Sequence, residues 1–207
     1  MKLFIAGRRA ACITRKAAHH HLLHVHGPMV VMAPADSGPL PSPYVQNHVR
    51  DGMYPPDVLT LPREIDLVTE INFQDRAQMQ AALASAYYLE KLAPDEPAFV
   101  DTCSVVRLPV AETREIDGQA GGFKILALAM NGSDPHALID QFVDAAENRL
   151  SRVHRLVPGT GPCTTLLEGW VATIDDAVAW ADCLPKWGAV ILVAAEFAEA
   201  AIRCKPG

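Results

Sequence analysis

Apolar and polar residues alternate most clearly over 65–74 (IDLVTEINFQ). Ile65, Leu67, Thr69, Ile71 and Phe73 fall on one side of an extended chain, and Asp66, Val68, Glu70 and Asn72 on the other. That period predicts a half-buried strand, and the flanking pattern supplies its neighbours. Residues 2–7 (KLFIAG) read as a strand, and Thr14 is a plausible N-cap for a helix over 15–26 carrying Ala17, Ala18, Leu22, Leu23 and Val25. Gly27-Pro28 is expected to stop that helix, and repeated proline over 33–43 (APADSGPLPSP) excludes another. Residues 44–50 (YVQNHVR) read as a strand, Asp75 caps a helix over 76–90, and 103–111 (CSVVRLPVA) form a further strand. The element order is βαββαβ.

The order then repeats. After a polar, glycine-containing connection at 113–122 come a strand at 123–130 (FKILALAM) and a helix opened by Asp134-Pro135 and running through Leu150. Strands at 152–157 and 163–172, a helix over 174–184 capped by Thr173 and a last strand at 188–197 complete the second set. Val68-Thr69-Glu70 parallels Leu166-Leu167-Glu168, each Glu lying five residues before its cap. We therefore expect an α+β chain of two ferredoxin-like βαββαβ repeats, residues 1–112 and a degenerate copy at 121–207. A sheet with helices on one face must cover the other. Two such sheets packed face to face form an intramolecular barrel of the dimeric α/β type.

Composition narrows the partners. With 18 basic against 24 acidic residues and a net charge of −6, no basic stripe is available for phosphates, so nucleic acid is not expected. The longest apolar runs are too short for a membrane span, and no cleavable leader pattern follows the first strand. The expectation is a soluble, cytoplasmic protein. Five scattered cysteines form no CxxC spacing, which argues against a disulfide framework or structural zinc. No GxGxxG, P-loop, GxSxG or HExxH motif occurs, which weighs against nucleotide-dependent and serine-hydrolase chemistry.

The first half resembles the EthD-like family of dimeric α/β-barrel proteins. The resemblance is carried by Arg8-Arg9, Val25-His26-Gly27-Pro28, Tyr44-Val45-Gln46-Asn47-His48, Val68-Thr69-Glu70 with Phe73, and Asp95-Glu96-Pro97-Ala98-Phe99-Val100-Asp101. It implies the barrel fold and chemistry on a small molecule. The family includes a protein of ether degradation and fungal dehydratases or decarboxylases of aromatic polyketide pathways, and it does not generally use a protein-bound metal. Here Ala11-Cys12 stands where the family has Pro-Gly, and His21 and Leu22 stand at usually aromatic positions, which widens or polarises the cavity. The second half keeps Glu168 but lacks the HisGlyPro and late Asp-Phe-Asp motifs, so it reads as a scaffold half.

Five of the eight histidines lie within 19–26. His20 and His24 share a helix face at metal-ligand spacing, but no motif supplies a third ligand, so no metal site is assigned. His19 and His20 are expected on the solvated face. His26, ahead of Gly-Pro, either fixes the turn or donates a proton, with the helix C-terminus favouring its charged form. Tyr44, Gln46 and His48 share one face of their strand, either lining a cavity or hydrogen-bonded in the core. Glu70 is either a cavity base or paired with Arg8, Arg9 or Arg107. Asp95 and Phe99 read as a cap and a core residue, and Trp170 as an aromatic wall.

The resulting expectation is a cofactor-independent lyase or isomerase acting on a hydrophobic aromatic or polyketide-like molecule. His48 or Glu70 would remove a proton beside a carbonyl, and His26 or Tyr44 would return one to the leaving oxygen. Gln46, His21, Leu22 and Trp170 would line the substrate. The alternatives are a non-catalytic carrier of a hydrophobic ligand, and a haem or metal protein using the first-helix histidines. A homodimer of the two-copy chain is a further option.

Overall fold

The computed structural model describes residues 1–53, 65–116, 122–131, 136, 140, 150–173, 175–176, 189–198 and 202. Eight strands occur among the described residues: β1 (Lys2–Gly7), β2 (Tyr44–Met53), β3 (Leu67–Asn72), β4 (Val106–Glu115), β5 (Phe123–Met130), β6 (Leu150–Leu156), β7 (Cys163–Val171) and β8 (Ala189–Ala198). Their hydrogen-bonding order is β1-β3-β2-β8-β5-β7-β6-β4, closed as a barrel, and the pairs described below are antiparallel. The expected α+β class and closed sheet are thus present.

The chain divides into two compact units, one of residues 1–48, 66–106 and 197–207, the other of 49–65 and 107–196. In the first, β3 lies between β1 and β2, with Glu70 opposite both Phe4 and Val45 and with Leu67 opposite His48. The alternation along β3 sorts the faces. Leu67 packs with Ala18, Leu22, Phe99 and Val100, and Ile71 packs against a cluster of Val30, Val31, Tyr44, Leu92 and Ile202. This face is therefore the helix-covered one, and Glu70 lies on the other.

The helical layer starts at α1 (Arg15–His21), whose N-cap Thr14 accepts from Ala17 N–H at 3.1 Å. The helix does not stop at Gly27-Pro28 as expected. A π-helical turn over Leu22–His26 carries it into α2 (Gly27–Val31), with the Gly27 N–H bonding Leu22 O. The missing N–H of Pro28 is tolerated because it falls in the first turn of α2, after the wider turn has already shifted the i→i−4 ladder. The second helix also breaks earlier than its predicted 76–90. Asp75 caps α3 (Arg76–Leu83), and after a break at Ser85 a π-helical turn at Tyr88–Leu92 leads into short turns over Ala93–Ala98. Strand β4 begins later than predicted, because Asp101 accepts from Cys103 N–H and holds Thr102–Ser104 in a 3₁₀ turn.

In the second unit β5 pairs with both β7 and β8, and β6 pairs with β7 and β4. Residues 125–129 are buried at every position, so both faces of β5 are covered. Most of the helix predicted over 134–150 and most of that over 174–184 lie outside the described residues. Thr173 nevertheless makes its predicted cap, accepting from Asp176 N–H while Asp176 Oδ2 accepts from Thr173 N–H, both at 3.1 Å.

Candidate active site

The polar face of β2 meets the helix. Gln46 Nε2–H donates to Leu22 O at 2.8 Å and lies 3.3 Å from Tyr44 Oη, while His48 Nε2–H donates to Gln46 Oε1 at 3.0 Å. The His48 ring stacks on His19 (centroids 4.6 Å apart) and tilts against Phe197. Tyr44, Gln46 and His48 are all buried, and burial pushes the Tyr44 hydroxyl well above its ordinary range, so it stays protonated. Of the two readings open for this face, the observed geometry is hydrogen bonding within the core.

His19 is a correction. Expected in solvent, it is buried over β2, with its Nε2–H donating to Asp66 O at 2.9 Å. The buried Asp66 carboxylate takes Arg9 and Arg15 at 3.1 and 2.6 Å, which anchors the start of α1. His20 and His24 are exposed, with ring centroids 4.6 Å apart.

The π-helical turn sets the positions of the other two histidines. His21 Nε2 lies 2.9 Å from Asp95 Oδ1, and His26 Nδ1 lies 3.0 Å from Asp95 Oδ2. Both rings rest on Phe99, at centroid distances of 5.5 and 4.8 Å. An ionised carboxylate only accepts, so His26 carries its proton on Nδ1 and His21 carries one on Nε2. Neutral His26 therefore presents a lone pair at Nε2. Burial holds its pKa below 6.5 against the opposing pull of Asp95, so the neutral base predominates at neutral pH. His26 is buried, whereas the side chains of His21 and Asp95 are 25% and 18% exposed, which opens one side of the group to solvent. Because His26 sits inside the continued helix, the expected interaction with a helix C-terminus does not arise. Asp95 fills that role instead.

The cation that Glu70 meets is Lys2, at 2.6 Å on the face opposite the histidines. The structure thus brings His21, Leu22 and His26 together with the β2 ladder, but it separates Glu70 from them by the thickness of the sheet. Trp170 belongs to the other unit, where Lys124 Nζ lies 5.8 Å from its ring centroid.

The second copy, residues 121–207, was expected to be scaffold, yet it holds a dense charged group. Lys124, His154 and Glu168 are completely buried. Glu168 takes Lys124 at 3.0 Å, Arg152 at 3.3 Å and His154 at 3.0 Å, and Lys124 also meets Glu196 at 2.7 Å. Lys124 and Arg152, with the hydrogen bond from His154, hold the Glu168 carboxyl far below its ordinary range despite burial. The available sequence signals were Lys124 inside an apolar strand and His154 at an alternate position of β6. Neither reveals partners 14 to 72 residues away. Among the described residues no three His, Cys, Asp or Glu side chains converge as metal ligands.

Residues 11–103 match the family model described as the EthD domain. No curated protein matches the chain. Similar solved structures include a Fusobacterium nucleatum protein provisionally described as a monooxygenase, at TM-score 0.50 and 7% identity, covering 93% of this chain and 90% of that one. An anthrone oxidase-like protein gives TM-score 0.48 at 7% identity, covering 100% of this chain and 94% of its own. A Lactobacillus acidophilus protein, also provisionally described as a monooxygenase, gives 0.46 at 8% identity, covering 94% and 93%. At 7% identity the Fusobacterium likeness is one of fold.

Proposed function

We infer, from the premise that residues 11–103 are an EthD domain, that the protein is an acid–base enzyme. Its reaction is a cofactor-independent elimination or isomerisation of a hydrophobic, aromatic or polyketide-like carbonyl compound. The observation that carries this reading is Asp95, a single carboxylate that orients two imidazoles against the Phe99 ring. His26 Nε2 removes the proton beside the carbonyl, and Asp95 stabilises the imidazolium that forms. The His26 Nε2–H so formed returns the proton to the departing hydroxyl or enolate oxygen, while His21, on the same carboxylate, holds Asp95 in place. Tyr44, Gln46 and His48 act by positioning, because Gln46 holds the Leu22 carbonyl at the π-helical turn. Glu70 takes no step.

The two-copy architecture forms part of the proposal. It is supported by the matching orders β1-β3-β2 and β5-β7-β6 and by one repeated detail. Lys2 stands two residues before Phe4, the partner of Glu70, and Lys124 stands two before Leu126, the partner of Glu168. Each Lys meets its Glu, at 2.6 and 3.0 Å.

Proton abstraction is tested without knowing the natural substrate. A panel of aromatic 1,3-dicarbonyl compounds is incubated with the protein in deuterium oxide, and exchange at the acidic carbon is followed by NMR. We expect exchange above buffer for some members, reduced about 100-fold or more in His26→Ala. No exchange across the panel, or undiminished exchange in the variant, rejects the reading.

A further inference from the structure

The buried group in the second unit contains a relay that the EthD domain does not include. Glu168 Oε1 can only accept, so His154 Nε2 must carry the proton of their 3.0 Å contact. In the neutral ring Nδ1 is then the lone-pair nitrogen. It lies 2.9 Å from Thr113 Oγ1, so the Thr113 hydroxyl donates to it. With the ring neutral, the chain runs hydroxyl to imidazole to carboxylate, the acceptor-only carboxylate at its end fixing the Nε2 proton. The β4–β6 register sets Thr113 directly opposite His154, which places both side chains on one face.

Other features of the group suit it for chemistry. Three of its members are completely buried and charged or titratable, an expensive arrangement unless fully paired. Lys124 and Arg152 keep Glu168 ionised, and Glu196 offsets Lys124. The orienting carboxylate therefore persists while the ring gains and loses a proton. Access comes from the Thr113 end, because Thr113 is only half-buried while His154 is sealed. A hydroxyl at the open end, a base behind it and a carboxylate holding that base form the arrangement of an activated nucleophile.

We propose that Thr113, His154 and Glu168 form an acyl-transfer site for carboxylic esters, with Thr113 Oγ as nucleophile. Thr113 Oγ bonds to the ester carbonyl carbon as its proton passes to His154 Nδ1. The carbon–oxygen bond to the alcohol then breaks, and His154 Nδ1 returns that proton to the leaving alkoxide. Water, deprotonated by the same nitrogen, attacks the acyl-threonine, releases the acid and restores the hydroxyl. The overall reaction is hydrolysis, with no redox change and no further reactant.

The test uses the whole chain with two probes, p-nitrophenyl acetate and diisopropyl fluorophosphate. The fluorophosphate should label the peptide containing Thr113, with one adduct per chain located there by tandem mass spectrometry. Thr113→Val keeps the side-chain shape and should abolish the adduct and lower the nitrophenolate burst by about 100-fold or more. Thr113→Ser should retain both. Unfolding midpoints of the two variants close to the parent value would establish that the loss is chemical. Absence of an adduct at Thr113 in the parent protein, or equal labelling in Thr113→Val, overturns the proposal. Because the carbon-acid exchange assay reads His26, failure of either proposal leaves the other standing.

Discussion

A carboxylate cannot donate, and that fact sets the proton positions of three histidines here: His21 and His26 through Asp95, and His154 through Glu168. The same burial that makes His26 a base also costs stability in acid. Its pKa in the folded protein lies below the ordinary 6.5, so the folded state resists a proton that the unfolded chain accepts. Stability is unaffected above 6.5, falls as pH drops through that value, and stops falling once the pH is below the folded pKa. Urea midpoints at pH 7.5 and 5.5 should therefore differ in the parent protein and converge in His26→Gln. An unchanged difference in the variant would assign the acid sensitivity elsewhere. Of these groups the sequence showed the residue types but not the pairings. His26 stood out beside Gly-Pro, but its partner Asp95 is 69 residues away and read as a turn cap.

At the scale of elements, legibility followed the range of the interaction. Thr14, Asp75 and Thr173 were readable as caps because capping is settled within three residues. Strands β1, β3, β5 and β8 followed from period and β-propensity. The continuation of the first helix through Pro28 was not readable, since it depends on a π-helical turn whose Leu22 carbonyl receives both the Gly27 N–H and Gln46 Nε2. Gly27 is the contact point. A Cβ there would press into Gln46 Nε2 and lie 2.8 Å from Leu22 O and 2.9 Å from Ile202 Cγ2. Gly27→Ala should thus destabilise the protein by about 1–3 kcal/mol, despite the higher helix propensity of alanine. Chemical denaturation measures this, and a stabilised variant would contradict the close approach of helix and β2.

At the scale of the molecule, the densest buried ionic group among the described residues is the pairing around Glu168. Glu168→Gln leaves Lys124 buried with reduced compensation and should cost about 3–5 kcal/mol. In the parent protein the contribution of Glu168 is present above the ordinary carboxyl value of 4.5 and is lost as pH falls below it toward the depressed folded pKa. A thermal melting series from pH 6 to 3 should therefore show a steep acid limb that Glu168→Gln flattens. The Lys–Glu pair that recurs at the same register in each unit bears on how such a protein can change. In a barrel made of two identical chains, every mutation appears twice, so a residue that helps one site must be tolerated at the other. If both halves are written into one chain, as the proposed repeat holds, each substitution is made once. One half can then keep a histidine pair on Asp95 while the other gathers Lys124, Arg152 and His154 around Glu168, each free of the other's constraints.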